Sequence, residues 1–169
     1  MAGIRRAVRS DLPAIVTIYN QAVVSTVATF DLEPKTVEAR EPWFAQHDER
    51  FSIFVTERFG QLAGWSALSH WSERPAYANT CEISLYVEEG HRRKGIGREL
   101  MQAAIEHAER VRFHTILSRV ASENAASIRL HDLFGFRRIG TMREVGFKFG
   151  RYLDVDLFQL MLPDGAHAV

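Results

Sequence analysis

Between Thr80 and Ala108 the hydrophobic period of the chain switches from two to 3.6, across a loop holding two glycines and three consecutive cations. Cys81, Ile83, Leu85 and Val87 alternate with Glu82, Ser84 and Tyr86, the pattern of a strand with one apolar face. Leu100, Met101, Ala104, Ile105 and Ala108 then recur at helical spacing and form the buried stripe of an amphipathic helix. The junction, Val87-Glu-Glu-Gly-His-Arg-Arg-Lys-Gly-Ile96 followed by Gly97, reads as an anion cradle. Backbone N–H groups at a helix N-terminus attract phosphate through unsatisfied donors and the positive end of the macrodipole. Gly95 and Gly97 let the backbone approach a diphosphate without a Cβ in the way, and Arg92, Arg93 and Lys94 add charge-assisted contacts. A dinucleotide fingerprint begun at Gly95 would need glycine or alanine at Leu100, and a nucleotide P-loop would need Gly-Lys-Ser/Thr; neither is present.

Gly3 to Val8 reads as a strand, and Ser10 as the cap of a helix carrying Leu12, Ile15, Val16, Tyr19 and Val23. A second helix follows Pro34, capped by Thr36, with Trp43, Phe44 and His47 at helical spacing. Phe51 to Thr56 and Leu62 to Ser69 form a hairpin signal around Gly60, and His70 to Asn79 is a loop. Beyond the central helix come a strand over Phe113 to Val120, a helix over Asn124 to Phe134, and strands over Phe136 to Ile139 and Leu153 to Leu162. This order predicts an α/β (α+β) fold, a mixed central sheet with helices on both faces.

The 169 residues fit a single domain, 1–169, with no internal repeat or linker. Twenty-one basic residues balance twenty-one acidic ones, so the overall charge points to neither nucleic acid nor an anionic membrane. No apolar run approaches a membrane span and no signal region follows Arg5 and Arg6. With Cys81 the single cysteine, no internal disulfide can form, and a cytoplasmic protein is expected. Cys81 lies on the face opposite Glu82 and reads as core. The seven histidines lack the spacing of a metal site, so no metal is expected.

The spacing Arg92-x-x-Gly95-x-Gly97 resembles the pyrophosphate loop of the GNAT superfamily of N-acetyltransferases, whose cosubstrate is acetyl-coenzyme A. Asn124-Ala125-Ala126-Ser127 with Leu130-His131-Asp132-Leu133-Phe134-Gly135-Phe136 is similar to a second signature of that superfamily. Thr29 to Pro34, Trp71 with Arg74 and Tyr77, Glu82 before Tyr86-Val87, and Gly146 to Arg151 with Asp154-Val155 look like the phosphinothricin and methionine sulfoximine N-acetyltransferases. The resemblance runs from about residue 4 to residue 160. It implies the GNAT fold, an acceptor that is the α-amino group of a small amino acid analogue, and a homodimer in which Phe147-Lys148-Phe149 could reach a partner's pocket. The loop between Trp71 and Glu82 varies among such enzymes, and Ser72-Glu73 leaves the acceptor open among methionine sulfoximine, methionine sulfone and phosphinothricin.

By that resemblance, contacts to acetyl-coenzyme A fall to Leu85, Tyr86 and Val87, to Arg92, Arg93, Lys94, Gly95, Ile96, Gly97 and Arg98, and to Asn124 and Ser127. The backbone at 85–87 would pair with the pantetheine arm like an added strand, and the Val87 N–H would polarise the acetyl carbonyl. Asn124 can equally be a helix cap. The acceptor would meet Phe30, Trp71, Tyr77, Ser84 and Glu82, with the Arg74 fork on its carboxylate. Transfer needs a neutral amine: holding an ammonium of pKa about 10.4 neutral at pH 7 costs roughly 4.6 kcal/mol, and one near 7.7 about 1 kcal/mol. Glu82, on the polar face of its strand, is the candidate base. His131 stands where many members carry a tyrosine that protonates the leaving thiolate; it is a candidate acid or base, or the satisfied member of a buried network. The alternatives are a peptide or protein N-acetyltransferase and a non-catalytic acetyl-coenzyme A sensor.

Overall fold

A computed structural model describes residues 3–163. The elements run β1 (Ile4–Arg6), α1 (Leu12–Ser25), α2 (Val37–Ala45), β2 (Ile53–Arg58), β3 (Gln61–His70), β4 (Thr80–Val87), α3 (Ile96–Arg110), β5 (Thr115–Ala121), α4 (Ala125–Leu133), β6 (Arg137–Lys148) and β7 (Arg151–Met161). The strands form one sheet in the order β1-β2-β3-β4-β5-β7-β6, antiparallel throughout except where β4 meets β5.

The alternation in β4 sorts the two faces as the sequence implies. Cys81 and Ile83 point into a core shared with Leu100, Met101 and Ala104 of α3 and Phe158 of β7. The opposite face is covered by α1, whose Ile15, Ile18, Tyr19 and Val23 pack on Val55, Trp65 and Ala67. Thr36 caps α2 by accepting from the Ala39 N–H at 3.1 Å. Ser10, expected to cap α1, does not: a 3-10 turn over Arg9–Asp11 precedes the helix. There the Asp11 carboxylate accepts from the Val8 N–H at 2.8 Å and from the Arg5 guanidinium at 2.7 and 2.9 Å.

The sequence ends the penultimate strand at Ile139, whereas β6 continues to Lys148. Its middle is solvent-exposed and charged, with irregular register against β7 between Arg138 and Gly140 and between Met142 and Gly146. A bulged edge strand shows no alternation for periodicity to detect.

β4 and β5 share only the pairs Thr80↔Thr115, Cys81↔Ile116 and Glu82↔Leu117. Beyond Glu82 they part, while β4 stays paired with β3 as far as Gly64↔Val87. The open side of β4 and the start of α3 face the same opening, and this is where the cleft forms.

Candidate active site

The cleft has a volume of about 1600 Å³, above the roughly 300–1,000 Å³ of a single small-ligand pocket. It runs from the loop before α3, along the open side of β4, to a wall made by the α1–α2 loop and the β6/β7 hairpin.

At the first end the chain turns with φ of +60° at Arg93 and +86° at Gly95, and Gly95 is the residue on which α3 begins. The first hydrogen bond in this stretch runs from the Glu99 N–H to the Gly95 carbonyl at 3.1 Å. The N–H groups of Ile96, Gly97 and Arg98 therefore have no acceptor within the helix. Nothing lies within 4 Å of a Cβ built on Gly95. Arg92, Arg93, Lys94, Gly95, Gly97 and Arg98 all line the cleft. The Lys94 ammonium donates to the Gly90 carbonyl at 2.8 Å, which folds it over the turn. Free donors, a helix N-terminus and four basic side chains fit a diphosphate. Ile96 belongs to this cradle through its backbone alone, because its side chain is 1% exposed and packs in the core.

The strand edge comes next. The Glu88 N–H donates to the Ala63 carbonyl at 2.9 Å, which turns the backbone of residue 88 toward β3. Directions alternate along a strand, so Tyr86 and Ser84 also face β3, while Val87 and Leu85, beyond the last pair with β5, offer their N–H and C=O groups to the open side. Tyr86 lines the cleft as expected, but its backbone faces β3 and not the arm, and its ring lies 4.8 Å from Trp65 and edge-on to Tyr19 at 5.1 Å.

At the far end stands Glu82. Arg119 of β5 donates to it from Nε to Oε1 at 2.6 Å and from Nη2 to Oε2 at 2.5 Å. The bond to Glu82 holds the Arg119 guanidinium above its usual range. Ser84 and Phe30 line the same end, with Met142, Val145 and Phe149 from the hairpin. Phe30 is held in a loop fixed from three sides. Tyr19 Oη donates to Asp31 Oδ2 at 2.6 Å and lies 2.7 Å from Thr29 Oγ1, and Lys148 Nζ donates to the Thr29 carbonyl at 2.7 Å. Burial and the neighbouring Asp31 push the Tyr19 hydroxyl up to about 12. Burial opposes charge on Asp31, but the Tyr19 bond and Lys35 outweigh it and keep the carboxyl below its usual range. The sequence assigned Lys148 to a stretch that reaches outward; it is 3% exposed and serves its own chain.

Asn124 lines the cleft and caps α4, its Oδ1 accepting from the Ser127 N–H at 3.2 Å, so both sequence readings coexist in one side chain. His131 also borders the cleft but is 4% exposed, and both ring nitrogens are occupied. Nδ1 lies 2.8 Å from the Ser127 carbonyl, which can only accept, so Nδ1 carries the proton. Nε2 then accepts from the Ser118 hydroxyl at 2.8 Å. Burial lowers the His131 pKa and keeps the ring neutral. Of the readings open in the sequence, this geometry favours the satisfied network, with Ser118 as the group that meets the cleft.

Trp71, Arg74 and Tyr77, expected around the acceptor, do not line the cleft. Arg74 is exposed at the start of the 3-10 turn Pro75–Tyr77, its guanidinium free of partners among the described residues, and Tyr77 faces solvent. A loop of aromatic and basic residues reads as a pocket wall in sequence, but here its end is tied to Arg50, whose Nη2 donates to the Ala78 carbonyl at 3.2 Å and to Asn79 Oδ1 at 2.8 Å. Trp71 alone touches the site, its ring centroid 5.5 Å from the Arg119 guanidinium. Sequence reasoning missed Ser118 and Arg119. The signal available was a single cation, Arg119, in β5, the strand paired with β4 at Glu82.

A cradle for a diphosphate, an open strand edge and a carboxylate, in that order along a splayed mixed sheet, define an acyltransferase of the coenzyme A type. The chain matches the acetyltransferase (GNAT) domain family over residues 4–157 and belongs to that family. Within it the chain is 39% identical over 163 residues to an L-methionine sulfoximine/L-methionine sulfone acetyltransferase of Pseudomonas paraeruginosa, covering 95% of each chain. It is 38% identical over 160 residues to a phosphinothricin N-acetyltransferase of Streptomyces coelicolor, covering 92% of this chain and 94% of that one. A GNAT superfamily phosphinothricin acetyltransferase of Sinorhizobium meliloti, solved in complex with acetyl-coenzyme A, superposes with a TM-score of 0.91 at 30% identity, over 98% of this chain and 90% of that one. No helix among the described residues is long and apolar enough to cross a membrane.

Proposed function

We propose that this N-acetyltransferase transfers the acetyl group of acetyl-coenzyme A to the α-amino group of a small amino acid analogue of the methionine sulfoximine, methionine sulfone or phosphinothricin kind. The observation that carries this reading is the placement of Glu82 at the point where β4 and β5 part, at the opposite end of the open strand edge from the diphosphate cradle. The substrates of the relatives at 38–39% identity support the acceptor class.

Acetyl-coenzyme A supplies a thioester, whose carbonyl is attacked by the amine and whose thiolate leaves. The first turn of α3, with Arg92, Arg93, Lys94 and Arg98, binds the diphosphate. The free N–H groups of Leu85 and Val87 align the arm, and one of them polarises the carbonyl, the oxyanion-type contribution worth about 3–4 kcal/mol in measured cases. Glu82 accepts the amine's proton, directly or through one water, an effect of about 10²–10⁴-fold. His131 acts through Ser118, fixing the hydroxyl that borders the leaving-group side. Phe30, Met142, Val145 and Phe149 wall the acceptor end and restrict it to small molecules. Phe147 and Phe149, 55% exposed on the hairpin, suit contact with a second copy in a homodimer.

The reading is tested by thiol release from acetyl-coenzyme A with methionine sulfoximine, methionine sulfone, phosphinothricin and a short free-amine peptide as acceptors. Turnover with a small acceptor is expected, falling at least about 10²-fold in Glu82→Gln while affinity for acetyl-coenzyme A is retained. Turnover with the peptide alone moves the function to peptide acetylation, and tight binding with no turnover makes the chain a sensor.

A further inference from the structure

The acceptor proposed above carries an ammonium and a carboxylate on one carbon. Backbone geometry keeps the amine nitrogen and a carboxylate oxygen within about 3–4 Å of each other. An amine delivered to Glu82 therefore places its carboxylate beside whatever touches Glu82. In this chain that neighbour is Arg119, whose Nε and Nη2 contact the two carboxylate oxygens. Nη1 has no partner among the described residues, and the side chain remains 54% exposed within the cleft. The Trp71 ring stands against the guanidinium and limits its freedom to swing away. Arg74, the cation suggested by the sequence, is exposed outside the cleft.

We infer that Arg119 is the specificity-determining residue for an α-carboxylate on the acceptor: its Nη1 side binds the carboxylate while Glu82, held by its other side, receives the amine. The ion pair is thus a template for a zwitterion. Each charge of the amino acid meets its opposite, and the planar guanidinium serves both carboxylates at once, which an ammonium cannot do. The inference rests on an amino acid being the acceptor.

The test compares methionine sulfone with its carboxamide, in which the anion is removed and the amine kept. Wild type, Arg119→Gln, Arg119→Lys and Arg74→Gln are assayed with both. In wild type the acid is preferred. Arg119→Gln raises KM for the acid about 10–100-fold, the loss of one charge-assisted pair, and changes KM for the amide little. Arg119→Lys recovers only part of the preference, and melting temperatures close to wild type show that the half-exposed side chain has been exchanged without unfolding. Equal losses for acid and amide, falling on kcat with a displaced pH profile, would make Arg119 a counter-ion of Glu82 and overturn the inference. So would a preference abolished by Arg74→Gln and unaffected at Arg119. In both cases wild-type turnover of the amino acid leaves the proposed function standing; turnover of neither acid nor amide by wild type removes that function itself.

Discussion

A methyl group on residue 146 would lie 2.1 Å from the Phe30 ring, so glycine is required there for the ring to take its place in the acceptor wall. Gly146→Ala is expected to lower stability by about 1–3 kcal/mol, the usual cost of overpacking, and to raise KM for the acceptor. Urea unfolding and steady-state kinetics read both effects. Adding Phe30→Ala to that variant restores stability while leaving the acceptor KM high, because the clash is relieved but the wall is lost. At this scale the sequence was informative where a residue acts through its type and position, as with Glu82, Asn124 and the cations before α3. It was uninformative where a residue acts through a neighbour distant in the chain. Nothing local to Ser118 or Arg119 marks the first as the partner of His131 or the second as the partner of Glu82, since each pairing is made by the folded sheet.

The anion cradle depends on how closely α3 lies on the sheet, and that distance is set at Gly64 of β3. A Cβ there would approach the Tyr86 carbonyl oxygen at 2.9 Å, Leu100 Cδ1 at 3.0 Å and Ile96 Cγ2 at 3.1 Å. The Tyr86 oxygen is β4 backbone and cannot yield, so the added methyl presses on Leu100 and Ile96, the two side chains that seat the first turn of α3 on the sheet. Gly64→Ala is therefore expected to weaken acetyl-coenzyme A binding as well as lower the melting temperature. Isothermal titration separates this from Gly146→Ala, which leaves cofactor affinity at the wild-type value. Elements with a strong period, β4 and α3 above all, were legible from their residues. β6 was not, because an exposed edge with two irregularities carries charges where a buried strand carries alternation. The loop from Trp71 to Tyr77 misled for a related reason: aromatic content signals burial or binding, and neither requires that the loop face the cleft.

At the scale of the whole molecule, three buried histidines link stability to pH. Burial lowers the pKa of His47, His107 and His131, so the folded chain keeps all three neutral. In the unfolded chain they take protons near pH 6.5, and there the unfolded state binds more protons than the folded one. Stability is complete above that pH and falls as pH drops below it, by up to about 1.4 kcal/mol per pH unit for each histidine. Urea midpoints measured from pH 7.5 to 5.5 are expected to be flat at first and then decline, and His47→Gln to reduce the slope of the decline by about a third. The architecture that buries these rings, a mixed sheet with a core on each face, followed from the order of periods along the chain. The parting of β4 from β5 did not, since a strand reads the same whether or not its neighbour stays beside it. Two half-sheets consequently meet along three register pairs, and whatever fills the seam becomes part of the molecule's mechanical continuity. A ligand that binds the folded chain there stabilises it by mass action, so resistance to proteolysis is expected to rise with the supply of acetyl donor, joining the enzyme's lifetime to its substrate.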